Sequence, residues 1–423
     1  MVVKKDRTKH SRRLIAGMIL LQLILLVGLS SCATSGFEHK LKTITRPYLF
    51  SISGWELQTV PEEIKGFFQH QPETTDGSDE VIEYFELAAQ IKTLRVELAV
   101  LKASSQPDEA ATIEAEITGL DEHRKAMTPE VEAILSRQIM DTLTRQGIYH
   151  PMESYFKARV SFPPVNFVLE HPPRLLVVSP RDRIETIRSI TLAPEITDSE
   201  VAGLENETDE LEVSSLVVEL GGLGATYPAI VNPESSLDFT IETVIEEWLH
   251  QYLAFRPLGS RYLAHLVGLT SDYEIVTMNE TLAGMVSREL GTTVLNEHYP
   301  GYREAQNKQT GEESFDFNRE MREIRLTVDK MLAGGEINQA EAFMEEKRQY
   351  LAEHGHPLRK LNQAYFAFYG SYAYQPASTS PIGQELSELR ERYNSVKDFL
   401  NVVASMNHRQ DLKLALAGEG TEP

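Results

Sequence analysis

The chain is poor in cysteine and in basic residues, and each shortage removes a class of protein. Cys32 is its only cysteine. That excludes an internal disulfide framework and any cysteine-based zinc finger, so a metal site would have to be built from His, Asp and Glu. Lys and Arg number 41 against 63 Asp and Glu, giving a formal net charge of −22 over 423 residues. Such a balance counts against nucleic-acid binding, which needs clustered cations to displace counterions from phosphates. No G-x-S-x-G elbow offers a nucleophilic serine. Gly221-Gly222-Leu223-Gly224 lacks the Lys-Ser/Thr of a phosphate-binding loop and suits a turn better. What remains is ordinary for a folded chain: 41% hydrophobic and 8% aromatic residues are enough to bury a core and exclude wholesale disorder. At roughly 100–200 residues per domain, the length fits two or three units, or one with a long insertion.

The N-terminus carries an address. Lys4, Lys5, Arg7, Lys9, Arg12 and Arg13 precede an uncharged apolar run over 14–29, which is shorter than the roughly 20 residues of a spanning helix and reads as a signal h-region. It ends in Leu29-Ser30-Ser31-Cys32, which resembles the lipobox of bacterial lipoproteins. The resemblance implies removal of a signal peptide, 1–31, and acylation of the Cys32 thiol. The body would then be lipid-anchored and extracytoplasmic, at the cell membrane or the outer membrane. An uncleaved N-terminal anchor is the alternative, and it too places the body outside the cytoplasm. Without its basic leader the body becomes more acidic still, so it should not adhere to anionic lipid by charge.

Residues 32–79, with Pro47, Pro61 and Pro72, read as a tether and an extended segment. Over 80–150 a helical hairpin region is expected. Tyr84, Leu87, Ile91, Leu94, Leu98 and Leu101 alternate steps of three and four and keep one apolar stripe. A break at 104–108 leads to a second helix with Ile113, Ile117 and Leu120. A third opens at Thr128-Pro129-Glu130, with proline at its first position, and ends near Gly147. Packing within the chain is the expected use of these stripes. Strands rich in Val, Ile and Leu are predicted at 165–169, 175–178, 187–192, 216–220 and 226–231. The acidic stretch 195–212 reads as a solvated loop. Helices follow at 238–255, 273–290, 316–334, 338–353, 361–374 and 383–402. Strands first and helices after argue an α+β fold over 160–423.

One predicted helix carries chemistry. Ile241, Val244, Ile245, Trp248, Leu249, Tyr252 and Leu253 cover most of the circumference of the helix at 238–255, so it should lie buried. Set into it are Glu246, Glu247 and His250. Residues four apart share a face, so Glu246 and His250 point the same way with Glu247 beside them. Buried charges are costly unless paired or bound to a metal. The arrangement is one residue from H-E-x-x-H, where two histidines ligate zinc and the glutamate activates the attacking water. A solvated i,i+4 Glu–His pair is the plainer alternative. Downstream, Asn279-Glu280-Thr281-Leu282-Ala283-Gly284 opens another helix, whose Ala283 and Gly284 would allow close approach to the first.

These motifs resemble the gluzincins, metallopeptidases of zincin-like fold that take a third ligand from a glutamate in an Asn-Glu-x-x-Ala setting on a second helix. With the lipobox and Leu361-Asn362-Gln363-Ala364-Tyr365, their order over about 215–400 resembles a family of bacterial lipoproteins assigned as aminopeptidases. The resemblance implies a small sheet whose edge strand, near 216–231, holds a peptide by strand addition. It implies Zn²⁺ held by His250, Glu280 and a third group, and a peptide or protein substrate. Glu247 would be the base. Tyr365, Tyr369, Tyr372 or His298 would steady the oxyanion. This sequence departs from the family at Glu246, where the pattern has histidine. Glu246 could therefore be the third ligand, in which case Mn²⁺ joins Zn²⁺ as a candidate. Alternatively His265 or His298 completes the set, or the chain keeps the fold without the metal and serves as a binding or assembly module. Oligomeric state is not legible.

Overall fold

A computed structural model describes residues 36–51, 77–104, 107–152, 161–266, 268–302 and 315–418. Cys32, the signal segment and most of the expected tether lie outside the described residues. The part of that tether at 36–48 is helical, and only from Leu49 is it extended, bridging Leu192 of the sheet. Helix α1 (Gly36–Thr45) buries Leu41 among Leu176, Val178, Leu192, Val201 and Leu204. The hairpin consists of α2 (Ser78–Ala103) and α3 (Pro107–Arg145). α3 runs unbroken through Pro129, where a new helix was expected to begin. Proline inside a helix costs about 3 kcal/mol. Just beyond it α3 buries Val131, Ile134, Leu135, Ile139 and Leu143, each contributing roughly 1.5–3 kcal/mol, and that gain carries the helix past the interruption.

Next come β1 (Phe167–Leu169), β2 (Arg174–Pro180), β3 (Arg188–Leu192), α4 (Asp198–Asp209), β4 (Val213–Glu219), β5 (Gly222–Leu223) and β6 (Ala229–Val231). They form two small sheets. One is antiparallel in the order β3-β2-β4; the other, β1-β6-β5, pairs β1 with β6 in parallel and β6 with β5 antiparallel. The acidic stretch expected to be a solvated loop is instead α4, begun by a capping box between Thr197 and Glu200. Two of its acids, Glu205 and Asp209, bond within the body, while Asp198 and Glu207 face solvent. Glu205, only 4% exposed, receives both arms of the Arg359 fork at 2.8 and 2.7 Å and the Val217 N–H at 2.6 Å. Asp209 receives the Ser215 N–H at 2.8 Å. Along the outer edge of β4 the Val217 carbonyl accepts from Arg359, and the Ser215 carbonyl from Asn362. Side chains therefore occupy the edge at 216–220 that was expected to receive a peptide. β5 and β1 are the edges of the other sheet.

The C-terminal half is helical: α5 (Leu237–Leu253), α6 (Pro257–Leu266), α7 (Tyr273–His298), α8 (Phe317–Ala333), α9 (Ile337–Glu353), α10 (Gln363–Tyr369), α11 (Ile382–Glu391), α12 (Val396–Ala404) and α13 (Arg409–Ala417). The helix expected over 383–402 is two, because Ser395 caps a new start by accepting the Asp398 N–H at 3.1 Å. The one expected over 361–374 stops at Tyr369. The main core joins α2, α3, β1 and β6 to α5, α7 and α11–α13. The result is an α+β architecture in which small sheets precede a largely helical half. No helix among the described residues is long and apolar enough to cross a membrane. Glu205→Ala should lower stability by about 2 kcal/mol, below the usual cost of breaking a buried pair because Arg359 is half exposed. Urea unfolding measures it, and an unchanged midpoint would show that Glu205 does not hold α4 to the sheet.

Candidate metal centre

Two helices make the site. α5 and α7 pack antiparallel: Gly291 of α7 lies on Glu242 near the start of α5, while Asn279 meets His250 near its end. At Gly291 an added Cβ would sit 2.9 Å from Cγ of Glu242, so the glycine sets how closely the helices approach. Eleven residues of α5, from Leu237 to Leu253, are buried, as its apolar circumference requires. Its polar residues Glu246, Glu247 and His250 therefore open into the protein rather than onto a solvated face.

Glu246, His250 and Glu280 each offer a ligand atom, and these atoms all lie within 4.8 Å of one another. The His250 Nδ1–H donates to Asn279 Oδ1 at 3.0 Å. That fixes the ring and leaves Nε2 facing Glu280, 3.6 Å from its Oε2. An imidazole steadied through one nitrogen and free at the other is the usual arrangement of a metal ligand. Glu280 also accepts from the Tyr262 hydroxyl at 2.6 Å, and the Tyr262 ring stacks on His250. α6 brings Tyr262 there because Gly259 lies against the last turn of α5, where a Cβ would come within 2.1 Å of the Leu253 carbonyl oxygen.

Glu247 sits against the turn from β4 into β6. The Gly224 N–H donates to its carboxylate, and Cβ atoms at Gly222 and Gly224 would come within 2.8 and 2.5 Å of its oxygens. The glycine run identified in the sequence is therefore the wall behind Glu247. Gln251 holds that wall, donating to the Thr226 carbonyl at 3.1 Å.

Charge is badly balanced here. Burial pushes the Glu246 carboxyl up to about 8, with Glu247 and Glu280 adding to the rise against the pull of His250. Burial likewise lifts Glu247 to about 7, despite His250 and the Gly224 N–H. Desolvation works to lower His250, but Glu280, Glu247 and Glu246 together outweigh it and raise it. An i,i+4 pair contributes about 0.2–0.5 kcal/mol, whereas burying each carboxylate costs several kcal/mol. The pair alone does not offset that cost. Two carboxylate oxygens and an imidazole nitrogen suit a divalent cation, whose charge would supply what the imidazole does not.

The other sequence candidates fall into two groups. Tyr372 is beside the cluster: Glu280 above all, then burial and Glu246, hold its phenol well above the usual value. The Ala373 N–H donates to Thr281 Oγ at 3.1 Å, pinning this turn to α7 one residue past Glu280. Tyr369 and Tyr365 instead pack together against β2 and β4. His298 ends α7, about 27 Å from Glu280 at 1.5 Å per residue, and cannot reach the cluster. His265 accepts the Asp272 N–H at 3.1 Å just before α7 and is no part of the ligand group. The Leu361–Tyr365 segment serves the scaffold, since Asn362 caps α10 and ties it to β4. Sequence reasoning missed Tyr262, for which no spacing signal exists. It also missed Tyr374, whose ring lies on Gly284, one turn beyond Glu280. No protein-family model, curated protein or solved structure matches the chain. Fold and site thus define an α+β protein with a partly buried Glu–His–Glu group capable of coordinating a metal ion. Asn279→Ala should weaken zinc binding about 10–100-fold by releasing the His250 ring, as read by competition with a chromophoric chelator. Unchanged affinity would show that Asn279 does not orient a ligand.

Proposed function

We propose that the chain is a zincin-like, metal-dependent peptidase, tethered outside the cytoplasm through lipid on Cys32. The observation that carries the reading is the convergence of Glu246, His250 and Glu280 within 4.8 Å, with Glu247 alongside on the same helix. A divalent cation, Zn²⁺ or Mn²⁺, held by these three groups supplies Lewis-acid chemistry, polarising a peptide carbonyl and making water nucleophilic at neutral pH.

The chain's own residues do the rest. Glu247, beside the three ligand groups on the same helix, is placed to take a proton and return it to the departing amine. The Gly224 N–H holds the carboxylate in place. Tyr372, whose phenol stays protonated, is the donor for the developing oxyanion, a role His298 is too distant to fill. Tyr262 and Asn279 orient Glu280 and His250. β5, the sheet edge next to Glu247, is the strand to which an extended peptide would add.

A second reading draws on Glu246: a carboxyl raised to about 8 holds its proton at neutral pH, as in a binding or assembly module that has dispensed with metal. Metal analysis separates the two. The full chain, purified without chelators or a His tag, should carry about one zinc or manganese ion, absent from His250→Ala. Glu247→Gln should keep the ion while losing about 10²–10⁴-fold in peptide hydrolysis. A chain that stays metal-free in excess zinc and manganese fits the module. A Glu247→Gln protein as active as the parent overturns the mechanism.

A further inference from the structure

Arginines in this acidic chain generally find carboxylates. Arg181 forks onto Glu341, Arg359 onto Glu205, Arg390 onto Glu289 and Arg409 onto Glu385. Arg288, Arg319 and Arg322 do not: none has an ion pair with a carboxylate among the described residues. All three gather about Tyr374. The Arg288 guanidinium lies 4.5 Å from the centre of its ring. Arg319 and Arg322, exposed on the first turns of α8, line a cavity of about 320 Å³ together with Tyr374; Arg288 reaches that group through its contact with the Tyr374 ring. Asp316, the acid in that lining, is engaged in capping α8 and accepts the Arg319 N–H at 2.9 Å.

Tyr374 also faces the cluster. Its ring lies on Gly284, and the Glu246 and Glu280 charges act on its phenol. Glu280, Gly284 and Arg288 succeed one another along one side of α7, so Arg288 stands about 12 Å from Glu280, the span of three or four residues of extended peptide. By contrast, the cavity of about 630 Å³ at Arg181, Glu212 and Asn338 has its cation already paired, so it has no unmet charge to offer.

We propose that Arg288, Arg319, Arg322 and Tyr374 form a carboxylate subsite, which selects peptides bearing an acidic group three or four residues from the bond at the metal centre. The inference rests on reading the Glu–His–Glu group as the reaction centre. Guanidinium forks suit carboxylates in geometry as well as charge. In a chain of net charge −22, long-range repulsion would otherwise disfavour acidic peptides, and a local cation group is how such a substrate could still be admitted. A side-chain carboxylate and a C-terminal one share this chemistry.

The test uses three peptides: Ac-Ala-Phe-Ala-Ala-Glu-amide, Ac-Ala-Phe-Ala-Ala-Gln-amide and Ac-Ala-Phe-Ala-Ala-Gln with a free C-terminus. Each is titrated by calorimetry, at low ionic strength and with zinc present, into full-length Glu247→Gln protein. The same is done with Arg288→Gln and with Arg319→Gln/Arg322→Gln added to it. At least one anionic peptide should bind about tenfold more tightly than the neutral one, and the preference should vanish in the arginine variants while their melting temperatures hold. Which anionic peptide wins identifies the carboxylate recognised. Equal binding of all three peptides, or a preference that survives both arginine variants, overturns the subsite. If the preference is present but the parent neither holds metal nor hydrolyses peptide, the subsite stands and the peptidase reading fails. Metal binding and hydrolysis with no preference sink the subsite and leave the peptidase reading standing.

Discussion

Much of the architecture follows from one contact, the antiparallel packing of α5 on α7. It turns the single polar strip of an apolar helix toward Glu280 and so places three carboxylates around one imidazole. The interior tolerates that concentration of charge poorly, and the raised Glu246 and Glu247 carboxyls are its direct expression. Small residues make the contact close enough to matter. Gly291 admits Glu242, Gly284 admits Tyr374, and Gly259 brings α6 back onto the end of α5. Bulk at any of them would separate the elements that deliver Tyr262, Tyr374 and Glu280 to one place.

Around this centre the polar groups divide the work. Asn279, Tyr262 and the Gly224 N–H each bond to one member of the cluster and hold it in orientation. Thr281 anchors the turn that carries Tyr372 and Tyr374. Farther out, Glu205, Asp209, Arg359 and Asn362 close the outer edge of β4. An open edge strand is liable to pair with any extended chain; the outer edge of β4 is covered, and β5 is the edge strand beside Glu247.

As a pattern, Glu246-Glu247-x-x-His250 is too short to distinguish a solvated ion pair from a ligand set. The structure distinguishes them through packing: eleven residues of α5 are buried, and Glu246 and His250 converge on Glu280 of α7 rather than lying on a solvated face. The distribution of arginine follows the same electrostatic logic. Many guanidinium groups are paired with carboxylates, whereas Arg288, Arg319 and Arg322 gather about Tyr374, on which the Glu246 and Glu280 charges also act.

Sequence by itself determined the local facts. Apolar spacing located α2, α5 and α7, the Val- and Ile-rich runs located every strand but β5, which read as a turn, residue type at helical spacing singled out Glu246, Glu247 and His250, and a resemblance to the gluzincin second helix added Glu280. These are properties of short windows, set by the 3.6 and 2 residue periods. Windows failed where distant partners decide. Residues 195–212 read as a loop on their acid content although Thr197 and Glu200 carry a local capping box, and only the inward pull of Arg359 on Glu205 was out of local reach; Pro129 read as a helix start because nothing local weighs the core beyond it. Likewise His298 and Tyr369 looked equivalent to Tyr372 until the chain path put one at the far end of α7 and another on the sheet. Tertiary structure alone decided which hydroxyl meets Glu280, which backbone N–H meets Glu247 and which arginines are left without acids, because each depends on segments brought together by packing rather than by sequence proximity.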